Sequence, residues 1–104
     1  LALFLLVTLE KEMANNLIVT YDLIKTKDYP SVHEAIKYLG AWAKVTESNW
    51  YVNTNYSAED AAKKIMAAMD NDDKLMVVDA SNNTFYCYNI DTVVLNFMRD
   101  QWFN

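Results

Sequence analysis

From residue 17 onward the chain alternates short apolar runs with amphipathic segments. Leu17-Ile18-Val19-Thr20-Tyr21-Asp22-Leu23 is rich in β-branched and aromatic residues and predicts a strand. Its unbroken apolarity predicts a central strand covered on both faces. A polar loop follows over 25–29. Ser31-Val32-His33-Glu34 has the spacing of a capping box, and Val32, Ala35, Ile36 and Leu39 then repeat on one helical face. Gly40 stands where a left-handed residue closes a helix. Residues 41–45 and 50–54 predict a hairpin around the polar turn Thr46-Glu47-Ser48-Asn49. Ser57 caps a second, Ala-rich helix whose face carries Ala61, Ala62, Ile65, Ala68 and Met69. An acidic loop at 70–73, a strand at 74–79, a turn at 81–83 and a strand at 84–88 come next. Asp91 caps a last helix through Trp102, with Val94, Phe97, Met98 and Trp102 as its apolar stripe.

This order is β-α-β-β-α-β followed by one more strand and helix. It predicts an α+β domain of ferredoxin-like pattern, with the first four strands in the order 4-1-3-2 and the first two helices on one face. The other face is then open. Strand residues alternate, so some of Trp42, Trp50, Tyr51, Tyr86 and Tyr88 are expected to face away from the helices. A homodimer would bury them, or the last helix would cover them within one chain.

Composition narrows the picture. A chain of 104 residues is one domain of marginal intrinsic stability, and 53% hydrophobic residues fit a rich core or a buried interface. One Gly and one Pro exclude flexible linkers and collagen-like or disordered classes. The net charge of −5 and a single arginine argue against unaided binding to duplex nucleic acid, which draws on a basic stripe. One cysteine, Cys87, rules out an internal disulfide and suits a reducing, cytoplasmic setting.

Residues 1–12 read as an N-terminal extension and 13–104 as the domain. The apolar run Leu1–Leu9 is too short to span a bilayer and lacks the charged start of a signal peptide, so no membrane association is expected.

Three segments carry a family resemblance. Asn16-Leu17-Ile18-Val19-Thr20-Tyr21-Asp22-Leu23 resembles the opening strand of the small CRISPR-associated proteins called Cas-two, which ends in Tyr-Asp. Leu39-Gly40-Ala41-Trp42-Ala43 and Glu47-Ser48-Asn49-Trp50-Tyr51-Val52 resemble the SinR-like proteins of bacteria and phages, their stand-alone relatives. The likeness covers roughly residues 16–89. It implies a ferredoxin-like subunit that dimerises through its sheets. It implies that Asp22 binds a divalent metal, magnesium or manganese, between two subunits for phosphodiester cleavage. The family also has a non-catalytic side, as an adaptor for DNA and a partner nuclease. Two departures stand out: few basic residues near the second and third strands, and a terminal helix in place of a short tail.

Read residue by residue, the chemistry is sparse. Divalent metals need several oxygen ligands. Asp22 would need its counterpart in a second subunit, or Asp72 or Asp73; otherwise it fixes a turn. His33, the single histidine, has no visible partner and reads as a solvated side chain. Cys87 lacks an activator. No metal-binding Cys/His spacing or glycine-rich phosphate loop occurs. Trp42, Trp50, Tyr51, Tyr86 and Tyr88 can stack bases, or pack in a core or a dimer or partner surface. The expected function is a non-catalytic homodimeric adaptor from a phage or mobile element, engaging a protein, nucleotide or nucleic-acid partner. Two alternatives stand beside it: a metal-dependent nuclease using Asp22 as its catalytic residue, and an acidic inhibitor that imitates nucleic acid.

Overall fold

The computed structural model describes residues 14–24 and 29–103. The extension read at residues 1–12 lies outside the described residues. Among the described residues, five strands form one antiparallel sheet: β1 (Asn15–Asp22), β2 (Ala41–Thr46), β3 (Asn49–Thr54), β4 (Lys74–Asp79) and β5 (Thr84–Tyr88). The described residues also form three helices: α1 (Tyr29–Lys37), α2 (Ala58–Met66) and α3 (Thr92–Gln101). The sheet order is β2-β3-β1-β4-β5. The fold is therefore α+β and compatible with a ferredoxin-like arrangement in general. β5 pairs with β4, so β4 is interior and not an edge.

Register decides which residues form the core, because directly opposed residues share a face. Leu17 opposes Val52 and Asp79, Val19 opposes Trp50 and Val77, and Tyr21 opposes Leu75. These residues are buried together with Val32 and Ile36 of α1 and Ala61, Ala62 and Ile65 of α2. One apolar cluster thus joins both helices to the same sheet face. The alanines of α2 let its backbone approach the strands closely. Each large side chain so buried stabilises the fold by roughly 1.5–3 kcal/mol before entropy is counted.

Two local devices differ from the sequence expectation. α1 begins at Tyr29, so Ser31 lies inside the helix rather than at its cap. Pro30 explains the earlier start, since proline suits a first turn whose N–H groups have no helical partner. Gly40 does not take a left-handed conformation, as no glycine has positive φ. Its lack of a side chain answers a close approach instead: a Cβ there would sit 2.2 Å from the Asn53 carbonyl oxygen across the β2–β3 pair. The other two caps form as read. Ser57 accepts from the Asp60 N–H at 3.1 Å, and Asp91 accepts from the Val93 N–H at 2.8 Å.

Burial on β1 is one-sided. Leu17, Val19 and Tyr21 are buried, while Ile18 stays 40% exposed on the opposite face. The apolar run predicted cover on both sides; among the described residues only the Leu17, Val19 and Tyr21 side is fully buried.

Candidate functional site

The open face is built from the alternate residues of the same strands. β1 contributes Asn16, Ile18, Thr20 and Asp22; β3 contributes Asn49, Tyr51 and Asn53; β4 contributes Lys74, Met76 and Val78; β5 contributes Phe85 and Cys87. The face is divided. Its β3 side is polar, where Asn16 Oδ1 accepts from the Tyr51 hydroxyl at 2.5 Å and from Asn53 Nδ2 at 3.0 Å. Its β4–β5 side is apolar, and α3 stands beside it.

α3 turns Leu95, Met98 and Trp102 partly inward, a set spaced three and four residues apart. Val93 and Phe97 are 78% and 65% exposed, and no residue of α3 is fully buried. The expected stripe of Val94, Phe97, Met98 and Trp102 is therefore split. Cavities lie between α3 and the sheet, lined by described residues. One, of about 250 Å³, is lined by Thr20, Asp22, Lys74, Met76, Val94 and Met98 among others. Another, of about 330 Å³, lies between α3 and β5.

The five aromatic candidates do not form one surface. Only Tyr51 is on the open face. Trp42 opposes Val52, Trp50 opposes Val19, Tyr86 opposes Val77 and Tyr88 opposes Leu75, so all four lie on the helix side. Trp50 is a fully buried core residue. Trp42 on the edge strand packs against it with ring centres 5.3 Å apart and planes tilted by 49°, and Lys37 Nζ lies 4.8 Å from the Trp42 ring centre. Tyr86 and Tyr88 pack against the rim of the core. Alternation alone could not say which parity faces the helices; pairing register does.

Asp22 is exposed at the end of β1, opposite Lys74. Asp79 opposes Leu17, at the far end of β1. Its buried carboxylate accepts from the N–H groups of Ser81 at 3.0 Å and Asn82 at 3.1 Å and from Asn82 Nδ2 at 2.8 Å. Asp79 therefore organises the β4–β5 turn.

The loop entering β4 brings carboxylate oxygens of Asp70, Asp72 and Asp73 within 4.8 Å of one another. Such a group can hold a metal ion, and Asp22 is not part of it. Asp73 is buried, and it accepts from the Ile24 N–H at 3.2 Å and from the Asp70 N–H at 2.8 Å. It thus ties the exit of β1 to the α2–β4 loop. Asn89, in left-handed conformation, donates from Nδ2 to the carbonyls of Asn71 and Asp73 and holds the loop from the other side. The Asp70–Asp73 spacing is the only local hint of this arrangement; the contacts with Ile24 and Asn89 are distant in sequence.

His33 departs most from expectation. It is half-buried, and its Nε2 lies 2.9 Å from the Tyr21 hydroxyl oxygen. That hydroxyl lies 3.2 Å from the Glu47 carbonyl oxygen, a second acceptor for its proton, and accepts from Trp50 Nε1 at 3.3 Å. The hydroxyl has one proton to share between the Glu47 carbonyl and His33 Nε2, so the direction of the His33 bond follows the imidazole tautomer. Rings of Trp50, Tyr29 and Tyr21 lie 5.1, 6.0 and 6.2 Å from the imidazole. Burial lowers the His33 pKa, and Lys44 and Lys37 add repulsion, against weaker support from Glu47 and Glu34. Cys87, opposite Met76 on the open face, has its thiol pKa pushed up by burial, partly offset by Arg99.

The fold and these sites define an α+β domain with one helix-covered face and one half-covered face. Comparison with protein-family models, curated proteins and solved structures finds no match to this chain. Among the described residues, no helix is long and apolar enough to cross a membrane.

Proposed function

We propose that this chain is a ferredoxin-like binding subunit that works as a homodimer and engages a protein or nucleotide partner without itself turning over substrate. The observation that carries this reading is the exposed apolar strip of Val93, Val94 and Phe97 on a helix beside a half-covered sheet face. An apolar strip exposed in this way among the described residues marks an association surface. Two further features support it. The element order is β-α-β-β-α-β with one added strand and helix, and four strands stand in the order β2-β3-β1-β4. Kinship with the Cas-two and SinR-like proteins rests on the three quoted segments alone.

Sedimentation at micromolar concentration tests the reading. A dimer is expected, with Phe97→Asp giving a folded monomer. A wild-type chain that sediments as a monomer over the whole range removes the proposal.

A second reading, a magnesium- or manganese-dependent phosphodiesterase, draws on one observation: Asp22 lines the cavity between the open face and α3, where a second subunit would approach. Its test is cleavage of RNA and DNA with either metal. Loss of cleavage in Asp22→Ala supports it; absent or unaltered cleavage refutes it.

A further inference from the structure

The cavity between β5 and α3 has the walls of a small-ligand site. Phe85, Leu95, Trp102 and Phe103 supply apolar surface, and Arg99 supplies a charge. Its volume of about 330 Å³ falls at the lower end of the range for small-molecule sites. The main wall is held in place. Trp102 Nε1 donates to the Asn83 carbonyl at 2.8 Å, and the indole packs on Phe85 with ring centres 4.4 Å apart. Asn83 itself is left-handed, with φ of 55°, at the turn that presents its carbonyl. A wall fixed before a ligand arrives reduces the ordering cost of binding.

Arg99 gives the cavity its polarity. It is the single arginine in a chain of net charge −5, yet it forms no ion pair among the described residues. A guanidinium beside apolar walls is a strong attraction for a planar anion, which it can meet with two parallel hydrogen bonds. Among the described residues Arg99 is the one cation lining the site, so a monoanion is matched and a dianion would keep an uncompensated charge at an apolar surface. Cys87 also lines the site, and burial keeps its thiol neutral, so it adds no repulsion.

We infer that the β5–α3 cavity binds a small amphipathic carboxylate, its head on Arg99 and its short alkyl or aryl body between Phe85, Leu95 and Trp102. The site is separate from the outer strip of α3, so it does not depend on the dimer reading.

The test is titration of the isotope-labelled full chain with octanoate, followed by amide shifts. Saturable shifts confined to residues 83–87 and 95–103 are expected. Octanol, which lacks the charge, and acetate, which lacks the body, should each bind at least about tenfold more weakly. Arg99→Gln, an exposed position, should weaken octanoate by a similar factor and leave octanol unchanged. A second readout needs no variant: octanoate should slow alkylation of Cys87 by iodoacetamide. Unsaturable shifts, equal affinity for octanol, an unaltered Arg99→Gln variant, or unprotected Cys87 would each overturn the assignment.

Discussion

The imidazole of His33 on α1 and the hydroxyl of Tyr21 on β1 share one hydrogen bond of 2.9 Å beside the buried Trp50. Through that hydroxyl the first helix, the central strand and the β2–β3 turn are joined at one atom.

The pH dependence of stability follows from this pair. Burial and two lysines hold the folded-state pKa of His33 below 6.5, so the unfolded chain binds the proton more readily. The contribution is complete above the unfolded value and is lost as pH falls through 6.5 toward the lower folded value. Urea midpoints for the wild type should therefore drop on acidification from about pH 7 to 5 more than those of His33→Gln. Parallel curves for the two proteins would contradict this.

Tyr21→Phe removes the acceptor of the buried Trp50 N–H. An orphaned buried donor costs about 1–3 kcal/mol, and the loss should appear as a lower denaturation midpoint with unchanged secondary structure. In a double-mutant cycle with His33→Ala, the two changes should couple rather than add. Strict additivity would mean that the 2.9 Å contact does not persist in solution.

Gly40→Ala tests the reason for the single glycine. A methyl group 2.2 Å from the Asn53 carbonyl oxygen forces the β2–β3 backbones apart. Overpacking of this kind costs about 1–3 kcal/mol, and amide exchange should quicken along β2 and β3 before the rest of the sheet. If this residue served only as a helix terminator, exchange would instead quicken in α1.

Asp79→Ala should destabilise the β4–β5 turn. Three donors lose their acceptor, two of them backbone N–H groups, for an expected cost of about 2 kcal/mol. Thermal melts would measure it, and Asp22→Ala, at an exposed strand end, serves as the contrast with little change. Equal losses in the two variants would show that Asp79 has no special role.

Local pattern made much of the molecule legible. The apolar run of β1, the Ala-rich face of α2 and the caps at Ser57 and Asp91 could be read because each depends on neighbours within a few positions. The capping role expected of Ser31 failed because Pro30 carried the helix start upstream. His33 could not be recognised as a partnered residue, since Tyr21 and Trp50 lie 12 and 17 positions away on other elements. Asp73 was visible as part of an acidic loop, but its tie to Ile24 was not.

What the chain determines by itself is the kind and order of its elements, because hydrophobic period and capping chemistry act over one or two turns. Which parity of each strand meets the helices was decided only by tertiary pairing. A register shift of one residue moves every side chain to the opposite face. That is why Trp50, Tyr86 and Tyr88 went to the core side while Phe85 and Cys87 went to the α3 side. The placement of Arg99 beside Phe85 and Trp102 has the same origin. It depends on where a helix settles against a sheet, and no short stretch of sequence encodes that.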